Sequence, residues 1–413
     1  MNKEYTEHDR QRIANKEYSY YEKDDEVDIG TDEHPQLIGT VREVISDSTG
    51  LNGYVIEEPD GNITLLFQGS KGPGEAGSRE DWLDNDFPMA KHIITETPKV
   101  TAQLVSASKV LNQVLDDYPQ AQVTLYGHSL GSMNAQYALA TVSDIDRVAG
   151  AYIYNGPNVY PALTDQEKYR VDALKYRIHN YIDQNDMVPI GYSGKDAPGY
   201  KAPPGTSDNA VGIVYRIESK SGLNPIAQHM WGGYQWYPDG CLKVKTGSSI
   251  LESRYASTFD VIALGRYHTS QIKSHLAGGG LTSGESLYLD SEQARIFSRA
   301  ISQVGEVCHQ SVQTLSTATI NQAHDLYHSL GQVPSGFVLS PDEVRQAYGM
   351  VGIDYHSVVD NSTSMVHQNL DQSEQLKQDL LTLDNQLQTA ITQKINEDEA
   401  LAQEFQSWTN LIR

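Results

Sequence analysis

The chain lacks most of what would support a disulfide framework, a metal centre, a nucleic-acid surface or a membrane span. Its 413 residues include two cysteines, Cys241 and Cys308. Two are too few for a disulfide scaffold, and their spacing is wrong for a zinc site. Buried free thiols are expected, with a single inter-domain bridge as the alternative. Basic residues are outnumbered, 31 Lys and Arg against 54 Asp and Glu, for a formal charge of −23 and a pI near 4.8. That balance argues against a nucleic-acid partner and against simple attraction to anionic headgroups, so any membrane contact has to be apolar or local. No run of about 18 apolar residues occurs, and no transmembrane segment is expected. Met1-Asn2-Lys3-Glu4-Tyr5 leads into a charged, tyrosine-rich stretch without an apolar core, so no Sec-type signal peptide is expected. No internal repeat suggests a solenoid.

What the chain does have is enough apolar residue, 38%, for a substantial core, and enough length for two domains. Residues 1–30 read as a helical lead-in with alternating charges. Short β-like runs follow at Thr40–Ile45, Gly53–Glu58 and Ile63–Phe67, the last two joined by the turn signal Asp60-Gly61-Asn62. A helix is predicted over 100–118, from Leu104, Val110, Leu111, Val114 and Leu115 at helical spacing. Buried strands are predicted at 121–126, 148–154, 176–182 and 212–219. Strands alternating with helices predict an α/β domain with a mostly parallel sheet over residues 1–276.

Residues 277–286 contain Gly278-Gly279-Gly280 among Ser and Thr, and read as a flexible linker. Beyond it, residues 287–413 carry two long apolar patterns. Phe297, Ile301, Val304, Cys308, Val312, Leu315, Ala323, Leu326 and Leu330 form the first. Leu376, Leu380, Leu383, Leu387, Ala390, Ile391, Ile395, Leu401, Phe405 and Trp408 form the second. Two antiparallel helices packed like a coiled coil are expected, with these stripes as their core.

The chemistry is concentrated at Gly127-His128-Ser129-Leu130-Gly131. A short β-branched run precedes it and a stretch rich in helix formers follows, which is the strand–turn–helix setting of a nucleophile elbow. Small residues at 127 and 131 let neighbouring backbone pass the sharp turn, and the helix start offers N–H groups to a developing oxyanion. A serine hydroxyl needs a base and an orienting acid. In hydrolase order the acid comes next, and both Asp183 and Asp186 follow a predicted strand, with Asp186 preferred. The base comes last: His229 is preferred, then His268, with His275 near the linker. His179 precedes the acid, and His128 reads as locally packed. The oxyanion donors are expected from the amide of Leu130 and from Ser70, in the loop after the strand ending at Phe67. No metal or organic cofactor is required.

Phe67-Gln68-Gly69-Ser70, then Asp81-Trp82-Leu83, the elbow, Asn185-Asp186-Met187-Val188-Pro189 and His229 together resemble the class 3 (fungal-type) lipases. Gln68 stands where that family usually has Arg. The resemblance covers about residues 30–275. It implies an α/β-hydrolase lipase domain acting on acyl esters of glycerolipids, including phospholipids. It also implies a mobile lid over 72–98, where Trp82, Leu83, Phe87, Pro88 and Met89 are candidate apolar lid residues. A lipase domain followed by a long helical hairpin, without a Sec signal, is similar in layout to type VII secretion effectors of Gram-positive bacteria with an LXG-like module placed last. That likeness implies a secreted antibacterial toxin, small helical targeting proteins along residues 287–413 and an immunity protein in the producing cell. Cytoplasmic residence is the alternative localisation. A soluble esterase, thioesterase or peptidase, or a helical adaptor with a vestigial hydrolase domain, are the alternative functions.

Overall fold

A computed structural model of the chain describes residues 5–30, 35–69, 100–192, 209–222, 224–245, 252–277, 283–333 and 338–412. Two compact units divide between Tyr267 and His268.

The first unit is built on one eight-stranded sheet whose spatial order follows the chain: β1 (Glu26–Asp28), β2 (Leu37–Ser46), β3 (Asn52–Glu57), β4 (Ile63–Phe67), β5 (Val123–His128), β6 (Val148–Tyr154), β7 (Ile178–Ile182) and β8 (Ile213–Arg216). β1 to β4 pair antiparallel, whereas β4 to β8 run parallel. The β3–β4 connection turns at the expected Asp60-Gly61-Asn62, where Gly61 N–H donates to Glu58 O. The parallel half needs crossovers, and the helices supply them: α2 (Ala102–Asp117), α3 (Leu130–Ala140) and α4 (Asp165–Ala173).

Side chains alternate across the sheet, as strand geometry demands. On one face Leu65, Phe67, Val123, Leu125, Ala151 and Ile153 pack with Leu111 of α2 and Leu139 of α3 in an aliphatic core. On the other, Leu66, Tyr126, Tyr154, Tyr181 and Tyr215 meet Ile13 of α1 (Glu7–Asn15) and Trp231. This second face is an aromatic stack, with Tyr154 and Tyr181 at 5.1 Å and Tyr181 and Tyr215 at 4.9 Å. Buried polar tips must find partners, and α1 provides some of them. Arg10 Nη1 donates to the Tyr126 hydroxyl at 2.6 Å, and its guanidinium lies 4.3 Å from the Tyr152 ring centre. The Tyr181 hydroxyl donates to Glu7 Oε1 at 2.9 Å.

The lead-in is therefore shorter than expected. Its helix is closed at the start by a capping box between Thr6 and Asp9, a single 3₁₀ turn covers Lys16–Tyr18, and β1 forms within the stretch predicted helical. A further helix, α5, is Ala256–Ala277, and the boundary between the units lies within it.

The second unit contains α6 (Ser283–Ser329), α7 (Pro341–Gly349) and α8 (Asn361–Ile412). Residues 278–282 of the expected linker lie outside the described residues. α6 and α8 pair antiparallel: Arg295 O accepts from Gln388 Nε2, Ser298 and Ser302 both donate to Asp384, and His309 meets Ser373. The apolar stripes are not all core, contrary to the sequence expectation. Ala300, Ala323 and Val366 are buried, but Phe297 and Leu315 are each 58% exposed and Phe405 is 70% exposed. Two helices cover one narrow seam of each other, and these stripes are wider than that seam. The thiols also depart from expectation: both are free, but Cys241 is exposed and Cys308 half-buried.

Candidate active site

Because β4, β5, β6 and β7 are mutually parallel, their C-terminal ends lie along one edge of the sheet. Four chain segments meet there: Gln68-Gly69 after β4, Ser129 after β5, Asn155 after β6 and Asp183 to Asp186 after β7. This is where α/β sheets gather functional groups.

Ser129 sits at the β5–α3 turn with φ 56° and ψ −123°, a conformation few side-chain-bearing residues adopt. Such strain costs on the order of 1–3 kcal/mol and survives only where packing enforces it. Here the enforcement is visible. Ser129 N–H donates to Tyr154 O at 2.9 Å, and its own carbonyl accepts from Ser132 N–H at 3.1 Å. A Cβ on Gly131 would come within 2.1 Å of Phe67 O, and one on Gly127 within 2.4 Å of Gly131 O. Both glycines of the pentapeptide are thus required by close backbone approach. Ser129 is 5% exposed. Leu130, the first residue of α3, has no intrahelical acceptor for its N–H by position.

His229 lies after β8, in an irregular wide turn, Gln228–Gly232, that follows the short helical turn Pro225–Ala227. Its Nδ1 is 2.6 Å from Asp186 Oδ2, and each of the two side chains is 2% exposed. Asp186 Oδ1 also accepts from Val188 N–H at 3.1 Å. Burial pushes the Asp186 carboxyl up to about 7 and the His229 imidazole down to about 3. Desolvation disfavours both charged forms, so His229 is neutral at neutral pH. Its Nδ1–H then donates to Asp186, and Nε2 carries the lone pair.

Asp183 has a different environment. It is fully buried; Oδ1 accepts from Asn185 N–H at 2.8 Å and from the Ser219 hydroxyl, and Oδ2 accepts from Gln228 Nε2 at 2.5 Å. The carboxylate that meets the imidazole is Asp186, while Asp183 anchors the residue preceding His229.

The carbonyl of His229 is held from two sides. His128 Nε2 donates to it at 2.9 Å and Asn155 Nδ2 at 3.2 Å. The tautomer of His128 follows, since a carbonyl can only accept. Nδ1 must accept in turn, and it does so from the Tyr18 hydroxyl at 2.6 Å. Burial lowers the pKa of His128 well below the ordinary histidine value. The rings of His128 and His229 lie 4.4 Å apart, and Trp231 covers His128 at 4.1 Å. Trp231 itself has φ 59°, an outlier for a bulky residue directly beside the site.

The structure thus brings Ser129, Leu130, Asp186 and His229 to one edge of the sheet. His179 is elsewhere, in β7, stacked between Tyr152 and Tyr215. His268 lies in α5, on the second unit's side of the boundary. Ser70, Trp82, Leu83, Phe87 and Met89 lie outside the described residues. Sequence reasoning missed Glu17, Tyr18, Asn155 and Gln228. Only Asn155 carried a signal, as the residue following β6 before Gly156-Pro157; nothing local in the charged lead-in points to Glu17 or Tyr18.

A family profile described as Mbeg1-like matches residues 82–193, less than half of the chain. No curated protein matches the sequence. Among solved structures, the chain is similar to Lip2 lipase from Yarrowia lipolytica, at 15% identity over 51% of this chain and 78% of that one, with a TM-score of 0.33. It is also similar to a triacylglycerol lipase from Penicillium expansum, at 18% identity over 45% and 72%, with a TM-score of 0.27. A third is the triacylglyceride lipase of Rhizomucor miehei, at 16% identity over 43% and 66%, with a TM-score of 0.26.

Proposed function

We propose that the chain is a serine hydrolase of carboxylic esters, with Ser129 as nucleophile, His229 as base and Asp186 as orienting acid. The observation that carries this reading is the buried His229–Asp186 pair at 2.6 Å, packed against His128, which precedes a serine held at positive φ. His229 Nε2 takes the Ser129 hydroxyl proton as Oγ adds to the ester carbonyl. The Leu130 amide, with Ser70 as the expected second donor, holds the resulting oxyanion. Collapse breaks the acyl–oxygen bond, and the leaving alcohol takes the proton from His229. Water then adds to the acyl-enzyme, giving its proton to the same nitrogen, and the acid leaves as Ser129 is reprotonated.

Lipid acyl esters, phospholipids included, are the proposed substrates, supported by the motif order shared with class 3 lipases. The helical unit is proposed to recruit small helical partners, supported by the exposed apolar side chains of Phe297, Leu315, Leu326, Phe405 and Trp408. Type VII-like export, a toxin role and an immunity partner belong to the same proposal and rest on the layout of the two units. Among the described residues no helix is long and apolar enough to cross a membrane.

Incubation with a fluorophosphonate, with and without Ser129→Ala, tests the chemistry: a single adduct at Ser129 is expected, and ester turnover that persists in Ser129→Ala refutes it. A panel of phospholipid, triglyceride, thioester and short soluble ester substrates then assigns the class. Preference for the short esters in monomeric solution, with none for aggregated lipid, would overturn the lipase reading.

A further inference from the structure

Glu17 is a buried ionisable group that the chemistry above does not use. It is fully buried in the 3₁₀ turn after α1. Its two oxygens serve two different segments: Oε1 accepts from Gly69 N–H at 3.1 Å and Oε2 accepts from His128 N–H at 3.1 Å. Gly69 is the second residue after β4, and His128 immediately precedes the proposed nucleophile. Among the described residues no lysine or arginine pairs with Glu17. An unpaired buried carboxyl is costly, and a neutral side chain would fill the same volume at less cost. What only an ionised carboxylate offers here is two acceptor oxygens spanning two backbone donors: burial raises the Glu17 pKa well above the usual value, and those two N–H donors together with the neighbouring Tyr18 hydroxyl pull it back down.

The span matters because the two segments touch. A Cβ on Gly69 would lie 2.9 Å from His128 O and 3.3 Å from Ser129 Cβ, so Gly69 rests directly on the elbow. It would also lie 2.4 Å from the Tyr18 hydroxyl. The next residue, Tyr18, donates to His128 Nδ1, and so the same short turn reaches the histidine that supports the His229 carbonyl. Arg10 and Glu7 anchor the preceding helix to the aromatic face of the sheet, which keeps this turn in place.

We infer that Glu17 is a positioning residue of the ester-hydrolysing site, a clamp that ties Gly69 to the nucleophile elbow and so holds Ser129 and the Leu130 amide in register. The inference rests on the serine-hydrolase reading above. It makes a segment outside the parallel α/β core part of the catalytic apparatus, although it touches no reacting atom. Pocket donors act only at the right distance from the developing oxygen, so a loosened clamp weakens the transition state more than the bound ester.

The test compares the full chain with Glu17→Gln, which preserves shape but sets an amide NH₂ against one of the two N–H donors. Active sites are titrated with a fluorophosphonate, so that rates refer to folded, labelled enzyme. The expected result with a p-nitrophenyl ester is a fall in kcat of about 10- to 100-fold with KM within about twofold. Affinity for an alkylboronic acid, whose tetrahedral adduct occupies the oxyanion position, should fall in proportion. If Glu17→Gln does not fold, Glu17→Asp, one methylene too short to span both donors, is read in the same way. A folded variant with lowered melting temperature but unchanged kcat per titrated site and unchanged boronate affinity would overturn the clamp and leave a purely structural role. Failure of the unsubstituted chain to label at Ser129 would overturn the serine-hydrolase reading and the clamp together.

Discussion

Two carboxylates, Asp183 and Asp186, stand three residues apart after the same strand, and replacing each by asparagine separates their roles. Asp186→Asn keeps the shape beside His229 but turns an acceptor into an amide. With its NH₂ toward Nδ1, the amide favours the imidazole tautomer that has its proton on Nε2, the nitrogen that must receive the serine proton. In Ser-His-Asp triads this change lowers kcat by about 10⁴, which corresponds to about 5.4 kcal/mol of transition-state stabilisation. The geometry supports a loss of that size, because the bond is short, at 2.6 Å, and both side chains are 2% exposed, leaving water little room to substitute. Asp183→Asn should behave in the opposite way. Its carboxylate holds Ser219, Asn185 N–H and Gln228, so the change disturbs buried hydrogen bonds, at about 1–3 kcal/mol of stability. Turnover should fall by no more than about tenfold, on the order of 1.4 kcal/mol. The assay is p-nitrophenyl ester hydrolysis on fluorophosphonate-titrated enzyme, with thermal melts alongside. If Asp183→Asn lost more turnover than Asp186→Asn, or if Asp186→Asn kept a tenth of the activity, the assignment of the acid would be wrong.

Two further predictions concern pH. Because burial holds the free His229 far below the ordinary histidine value, at about 3, the base stays unprotonated as the medium is acidified. The acid limb of kcat/KM should therefore follow the partner carboxyl, Asp186, which burial raises to about 7, and should shift or vanish in Asp186→Asn; an acid limb unchanged by that substitution would contradict the buried-pair geometry. The second concerns stability and His179, stacked in the aromatic face and lowered to about 4 by burial and by Arg10. Its unfolded form binds a proton below about 6.5 while its folded form does not, so the native state loses stability as pH falls from about 6.5 to 4, by up to about 3 kcal/mol for this one group. Melting temperatures across that range should drop in the unsubstituted chain and drop less in His179→Gln; parallel curves would refute the assignment.

Much of the parallel half of the sheet was legible from local pattern alone. Ile63–Phe67 and Val148–Tyr154 are strands at the predicted bounds, because buried strands in parallel sheets read as continuous apolar runs. The elbow was legible for a different reason: its two glycines answer a steric demand within a few residues. The lead-in was misread past residue 18 because alternating charges fit either a helix or an exposed edge strand. The helical unit was read correctly in its long helices, yet the exposure of Phe297 and Leu315 was not foreseen. A hydrophobic stripe records which residues share a helix face and not how much of that face a partner covers.

The amino-acid sequence by itself determined the strand–turn–helix around Ser129, the order in which the proposed acid and base follow it, and the long helices beyond residue 283. Each depends on local periodicity or on sterics between near neighbours. Only the tertiary structure showed which of Asp183 and Asp186 meets His229, since both follow the same strand and differ in which buried group each carboxylate reaches. Only it brought Glu17 and Tyr18 to the elbow across 111 and 110 residues of chain. Hydrogen bonds of that span leave no periodic trace in a sequence, because they are set by where whole elements pack.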